Sequence, residues 1–423
     1  MADRWWYTTI GCEAKQIVLV ELLLIKKPAD FGFEVVESLA DVEPSEWNRL
    51  AGRRVLASYG WLRTIEETCT SPIPSRYILA RNGSGLVGAI VCQIQESASD
   101  GFDLDDVLFG RLAKATRRMG LSVLPALVCG SSVGGGESVL VRGGTPAGER
   151  QRLVVELVQA VERMARGSGW GVCFRGVAET EFSIAEVLAK RGYVRSRELP
   201  VACLELDSGW SCFSDFRRHL KKTHPKTAKN LGREINLARR GGLVIEQLDK
   251  PAHLREHLHR LMNSHYFRLN RKPFPFRSEF FEQLKSRLDG RAVIYVARIE
   301  EEPIGVTVTL WDDDAVYVPM IGVDPDRGRA CAAYFNLAYN RPIQDSLAAG
   351  RRRMYFGRLL YGLKARRGCR RLDMDLYFRG RNTIQERLLQ PLFFLRSRRI
   401  DSMSAALPRK AKRERDDRAA EEA

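Results

Sequence analysis

Arg76 to Gln95 reads RYILARNGSGLVGAIVCQIQ, and Ala292 to Trp311 reads AVIYVARIEEEPIGVTVTLW. Each is an alternating apolar run ending in Ala-Arg, then a short polar turn, then a second alternating run. That is the pattern of a β-hairpin. The two also share a spacing, since eight positions separate Ala80 from Gly88 and eight separate Ala297 from Gly305. A glycine early in the second strand marks a bulge or a close backbone approach.

The segments after the two hairpins are parallel too. In the first half a strand near Glu137–Arg142 leads to a helix over Pro146–Arg166, a strand over Gly171–Phe174, a helix over Ser183–Arg191 and a strand over Val194–Leu206. In the second half a strand over Ala315–Val323 leads to a helix from about Ala330 to Ala349. A strand over Arg353–Phe356, a helix over Leu359–Arg367 and a strand over Arg371–Phe378 complete it. The repeated order predicts a duplicated α/β (mixed α+β) fold, each copy a mixed sheet with helices on its faces. The length of 423 residues and the 44% hydrophobic content suit two such cores. The expected division is an arm over 1–30, a first domain over 31–207, a second over 208–402 and a disordered charged tail over 403–423.

Charge separates the halves. Residues 1–200 carry 24 basic and 24 acidic side chains, so the whole surplus of +16 lies in 201–423. A surplus confined to one half suits an anionic partner there, whether RNA, a nucleotide-bearing donor or an acidic membrane surface. The nine cysteines are scattered without a C-x-x-C pair, which suggests reduced thiols in a cytoplasmic protein with no structural metal. The apolar run Gln16–Ile25 is interrupted by Glu21 and is too short for a transmembrane segment, so it reads as an edge strand or packed arm.

The basic helical segment opening the second domain, 213–242, contains FRRHLKKTHPKTAKNLGREINLARRGG from Phe216 to Gly242. Pro225 suits a first helical turn, and Gly241 and Gly242 suit a helix end. Ala228, Leu231, Ile235 and Ala238 recur at helical spacing as a packing stripe. Lys226, Lys229, Arg233 and Arg240 fall on the opposite side, and a row of this kind can follow a phosphate backbone. The only acid in the stretch is Glu234. All six histidines lie between His219 and His265, and they read as surface residues rather than as a zinc set.

Two further stretches carry chemistry. VDPDRGRACAAYFNL, from Val323 to Leu337, runs from a strand through Arg327, Gly328 and Arg329 into a helix. A helix start with adjacent cations is a candidate pyrophosphate site. MYFGRLLYGLKARRG, from Met354 to Gly368, places Lys364 on a short helix beside Arg358, Arg366 and Arg367. A lysine there can donate a hydrogen bond to a carbonyl oxygen as it becomes negative.

The order of elements, the V-x-P-x-R-G-R turn and the F-G…Y-G-x-K…R-G run resemble the FemAB-like branch of the GNAT acyltransferase superfamily. Peptidoglycan aminoacyl transferases are among its relatives. The likeness covers roughly residues 33–395. It implies two tandem GNAT-like domains with donor chemistry mainly in the second. By position, Arg327, Gly328 and Arg329 would face donor phosphates, Lys364 would stand near the acyl carbonyl, and Tyr361 would lie close to it. The turn departs from the common GNAT pattern, with Ala330 where a second glycine is usual and one residue fewer.

The preferred functional reading is transfer of an aminoacyl group from aminoacyl-tRNA to an amine by direct attack. Positioning and oxyanion stabilisation would supply the acceleration, with no covalent enzyme intermediate and no cofactor or metal. Lys226, Lys229 and Arg233 would hold the donor, and Asp373, Asp375 or water would take the ammonium proton. Two alternatives remain. One is an acyl-coenzyme A-dependent N-acetyltransferase of a small metabolite. The other is a non-enzymatic RNA-binding protein with Tyr355, Phe356 and Tyr361 as stacking platforms.

Overall fold

The structure is a computed structural model that describes residues 31–71, 74–97, 103–130, 137–179, 181–207 and 209–408. The expected arm over 1–30, and the expected tail beyond residue 408, lie outside these residues. The first half contributes strands β1 (Gly32–Val36), β2 (Ser75–Asn82), β3 (Gly85–Gln95), β4 (Ala126–Cys129), β5 (Val139–Val141), β6 (Gly171–Ala178) and β7 (Val194–Glu205). The second contributes β8 (Leu243–Gln247), β9 (Ala292–Ile299), β10 (Glu302–Trp311), β11 (Ala315–Val323), β12 (Arg353–Phe356) and β13 (Arg370–Arg379).

All thirteen strands form one sheet, ordered β1-β2-β3-β4-β6-β13-β7-β12-β11-β10-β9-β8, with β5 added beside β3. The order is close to a palindrome about the β13–β7 pair. Each half has exchanged its last strand. β7 runs antiparallel to β12, and β13 runs antiparallel to β6, while the two exchanged strands pair with each other. Each half also has one parallel contact, β4 with β6 and β11 with β12.

Helices cover the sheet. The first half supplies α1 (Pro44–Ala51), α2 (Tyr59–Thr68), α3 (Leu104–Phe109), α4 (Ala113–Arg118), α5 (Ala147–Ser168) and α6 (Phe182–Lys190). The second supplies α7 (Phe213–Thr223), α8 (Pro225–Arg240), α9 (Arg255–Asn270), α10 (Phe280–Arg287), α11 (Arg341–Ala348), α12 (Tyr361–Arg366) and α13 (Thr383–Ser404). One apolar core joins the two hairpins, with Leu79 and Ala89 from the first, Val296 and Val306 from the second, and Trp47, Trp61, Phe276 and Phe280 from the covering segments.

The two hairpins have the expected irregularity. The ladder slips beside the Ala80–Gly88 pair and again between Pro303 and Gly305, which pairs with Ala297. Both glycines also admit a covering helical segment. A Cβ at Gly88 would lie 3.0 Å from side-chain carbons of Leu153 and Leu157, and one at Gly305 would lie 2.6 Å from Leu337 Cδ1.

Two expectations change. The helix expected from about Ala330 to Ala349 is broken. A turn over Arg327–Ala330 ends at Ala332, whose φ is 53°, a left-handed conformation costly for alanine. A turn over Ala333–Phe335, a π-helical turn over Asn336–Asn340 and then α11 come next. The first residues of the tail expected from 403 are ordered, because α13 runs to Ser404 and Leu407 is buried.

Gly322 sets how closely α9 approaches β11. A Cβ there would lie 2.7 Å from the backbone nitrogen of Met262 and 2.8 Å from the carbonyl oxygen of Leu261. Gly322→Ala should therefore cost about 1–3 kcal/mol in urea unfolding. Gly88→Ala, which meets only flexible leucine ends at its closest contacts, should cost less.

Candidate functional site

The site is built where a parallel pair ends. β11 and β12 are paired from Ala315 with Arg353 to Val318 with Phe356. β12 then stops, while β11 continues to Val323 against β10. Pro319 comes directly after the last shared pair and has no N–H to offer a neighbour. Past Val318, β11 has no β12 partner, and the chain leaves β12 through Gly357. The segment after β12 turns sharply, with Leu359 and Leu360 both at positive φ and both exposed. Two adjacent leucines in this conformation are sterically costly, as is common where backbone geometry serves a site.

Lys364 lies on α12, directly after that turn. It is 4% exposed, and its ammonium donates to the carbonyl oxygen of Gly357, the residue after β12. Burial pushes its pKa down to about 8. Tyr361, one turn earlier, is also buried, and its hydroxyl donates to the Pro200 carbonyl at 3.0 Å.

The basic helix is fastened to this corner by its one acid. Glu234 turns inward from α8, and both its carboxylate oxygens accept from Arg367 Nη2, at 2.7 and 2.9 Å. Arg367, just past α12, is 2% exposed, and its guanidinium lies over the rings of Phe335 and Tyr339 at 5.1 and 4.6 Å. Asn336, in the π-helical turn, donates to the Glu234 backbone carbonyl at 3.2 Å. The stripe forms as the sequence suggests: Leu231 is buried, with Ala228 and Ile235 packed against the same core.

The cations face the other way. Lys226, Lys229, Arg233 and Arg240 are exposed, and among the described residues none has an acidic partner. Between α7 and α8 lies an open groove of about 470 Å³, lined by Ser214, Arg217, Arg218, Lys221, Pro225, Ala228 and Lys229. Of its four cations, only Arg218 has an acidic partner among the described residues, Asp215 at 2.9 Å. Lys226 and Arg233 lie on the same helix outside this lining.

The turn after β11 is filled from within. The Asp324 carboxylate accepts from the N–H groups of Asp326 and Arg327 at 2.9 and 3.0 Å, and the Gly328 N–H donates to the Asp324 carbonyl. The Arg327 guanidinium pairs with Glu302. Gly328 is buried, and a Cβ there would lie 2.4 Å from a Val323 methyl, so tight packing already requires glycine. Arg329 is exposed.

Asp375 sits mid-strand on β13, 5% exposed, with one oxygen 2.6 Å from Arg195 Nη2 and the other 3.2 Å from Arg197 Nη1. Asp373 pairs with Arg371 at 2.8 Å. The proposed stacking rings are occupied by other rings: Tyr355 stacks on Tyr317 with centroids 4.9 Å apart, and Phe356 lies against Tyr339 at 4.9 Å.

Sequence reasoning missed two groups. Glu198 on β7 is buried and accepts from Arg175 at 2.5 Å and from Arg358 at 2.7 Å. Burial alone would raise its pKa, but the two guanidiniums outweigh burial and hold the carboxyl well below its usual range. Through Arg358 it anchors the segment that leads to Lys364. His265 on α9 is buried rather than exposed as expected. It stacks on Tyr334, its Nδ1 is 3.1 Å from Arg268 Nη2, and burial with the Arg268 charge lowers its pKa. His257 and His259 also turn inward, each with Nε2 within 3 Å of a carbonyl oxygen, on Pro303 and Phe276 respectively. No pattern of spacing announces either group, because each is defined by a partner far away in the chain.

The family model for FemAB-like proteins, described as peptidoglycan biosynthesis/recognition, matches residues 38–368. No curated protein matches the chain by sequence. Among solved structures, the chain is similar to the C-terminal domain of a protein described as a lysylphosphatidylglycerol synthetase from Agrobacterium fabrum. The two are 12% identical over 88% of this chain and 99% of that one, with a TM-score of 0.51. It is also similar to FemX, 10% identical over 85% of this chain and 100% of that one, with a TM-score of 0.50. A tandem GNAT protein from the clavulanic acid biosynthesis pathway is 13% identical, with 83% and 99% coverage and a TM-score of 0.43. At such identities the likeness concerns the fold.

The buried Glu234–Arg367 pair can be tested directly. Glu234→Ala leaves a buried guanidinium without its counter-charge and should cost about 3–5 kcal/mol in urea unfolding. Adding Arg367→Met should restore most of that loss.

Proposed function

Because this chain belongs to the FemAB-like family, we propose that it is an N-acyltransferase that moves an aminoacyl group from aminoacyl-tRNA onto an amine. The observation that carries this reading is the charge arrangement on α7 and α8. The single acid on α8 is turned inward to hold the helix against the Lys364 corner, and the cations face an open groove. A row of cations without neutralising partners suits a polyphosphate backbone. A helix serving only solubility would mix signs along its face. The turn after β11 supports the same choice, since its first N–H groups are held by Asp324 and its leading cation by Glu302. A coenzyme A pyrophosphate would have to displace both. Arg329 remains available to a donor phosphate.

In the proposed reaction the acceptor amine attacks the ester carbonyl. A C–N bond forms, and the carbonyl oxygen becomes an oxyanion, which the Lys364 ammonium stabilises by hydrogen bonding in a site of low polarity. Collapse of the intermediate breaks the C–O bond to the ribose. The ribose oxygen leaves with a proton, and the proton lost by the incoming ammonium passes to water. Asp375, held by Arg195 and Arg197, acts by keeping β13 in place, and Tyr361 by holding α12 against Pro200. The family description supports an amine of a peptidoglycan precursor as the acceptor to try first.

Transfer of a labelled amino acid from charged tRNA to such a precursor tests the reading. Transfer from acetyl-coenzyme A with none from charged tRNA would overturn the donor assignment. tRNA binding without turnover would favour the binding protein. For the four groove cations the binding constant should fall with a log–log salt slope of about −3. Lys221→Glu with Lys229→Glu should raise the KM for charged tRNA about tenfold or more and leave kcat nearly unchanged.

Lys364 gives a pH test. Its pKa near 8 means that kcat/KM should fall as pH rises through 8 if the ammonium is the working form. A lysine acting as base would show the reverse. Stability moves separately. The folded-state pKa lies below the unfolded value of about 10.4, so burial opposes folding fully below pH 8 and not at all above about 10.4. Lys364→Met should therefore abolish turnover while gaining up to about 3 kcal/mol at pH 7, and the gain should vanish by about pH 10.5 in melts of both proteins.

A further inference from the structure

The outer face of α13 is apolar and cationic, and nothing among the described residues covers it. α13 spans 22 residues, about 33 Å. Its inner residues Leu389 and Phe393 pack on Leu376 and Phe378 of β13. On the opposite side Ile384, Leu388, Phe394 and Leu395 are exposed at 72%, 52%, 58% and 62%. With Pro391 they fall within roughly a third of the helix circumference at about 100° per residue. Exposed Arg387, Arg398 and Arg399 flank them, with the Arg398 guanidinium 4.9 Å from the Phe394 ring centroid.

The neighbouring segment repeats this chemistry. α13 touches it through Gln385, which donates to the Ser122 carbonyl, and Arg396, which donates to the Val107 carbonyl. There Leu112 and Met119 are exposed at 63% and 65%, beside exposed Arg111, Lys114 and Arg118. Single exposed apolar residues need no explanation, but a contiguous group rimmed by one sign of charge does.

We propose that this surface seats the protein peripherally on an anionic lipid bilayer. The choice of occupant rests on charge. α13 has only two acids: Glu386 is held on the inner side by the Gly380 N–H at 3.0 Å, and Asp401, at the edge of the stripe, is paired with Arg371 at 3.4 Å. Among the described residues, the charges left without an opposite partner around the apolar stripe are therefore all cationic. Two copies placed face to face would bring guanidiniums against guanidiniums in a desolvated interface. A lipid surface instead offers phosphates for the arginines and acyl chains for Leu388, Phe394 and Leu395, the arrangement of an interfacial amphipathic helix. Among the described residues no helix is long and apolar enough to cross a membrane, so attachment through this face would be reversible.

Flotation of the full chain with vesicles tests this. Phosphatidylcholine vesicles containing one-third phosphatidylglycerol should carry the protein upward, and pure phosphatidylcholine vesicles should not. Reversing Arg387, Arg398 and Arg399 to Glu should weaken binding by at least about a hundredfold, at about fivefold per arginine lost. Leu388→Asp with Leu395→Asp should abolish it, while thermal melting of both variants stays at the parent value. Absence of flotation, or flotation unaffected by either set, would overturn the proposal. So would a dimer in sedimentation that the leucine variants make monomeric while the parent binds no vesicles.

Discussion

The pairing of β7 with β13 is the constraint on which the molecule depends. Either strand would be the natural edge of its own half, and an open edge exposes a row of unpaired amides. Here each is inserted into the sheet of the other half, so both become central strands. This explains the burial of Asp373 and Asp375 on β13 and of Glu198 on β7. Charges so placed need partners at close range, and Arg371, Arg195, Arg197, Arg175 and Arg358 supply them.

The exchange also determines the position of the chemistry. With β7 beside β12, Glu198 from the first half reaches Arg358 in the second and fixes the turn ahead of Lys364. On the other side of that corner, Arg367 takes hold of Glu234 and so of the basic helix. The lysine is thus held between two ion pairs, and the Arg367 N–H donates to its backbone carbonyl at 3.0 Å. Buried pairs of this kind contribute little net stability, since desolvation cancels much of the attraction. Their contribution is placement, because removing either carboxylate leaves a guanidinium at this corner without its counter-charge.

Much of this is legible in the chain, and the division has a physical basis. Periodicity and turn chemistry are local, so both hairpins, their glycine slips and most of the later strands and helices can be read with small shifts at the ends. The apolar stripe of α8 can be read for the same reason. Strand exchange leaves no local trace, because β7 has the same alternation whichever neighbour it pairs with. Glu234 reads as one acid in a cationic surface until its distant partner is known. Ala332 breaks a helix that composition favours, since tertiary packing overrides propensity there. The FemAB-like likeness correctly indicated tandem GNAT-like sheets, because it depends on the order of elements.

An interleaved sheet has a consequence for how the chain comes to exist as a folded object. A ribosome releasing residues 31–207 delivers a half whose β6 lacks its neighbour, since β13 has not been made. The N-terminal portion is therefore not a self-sufficient fragment, and neither portion expressed alone should be soluble without the other supplied in trans. Native topology can be completed only after β13 has been made, so the nascent half-sheet must wait with an open edge until then.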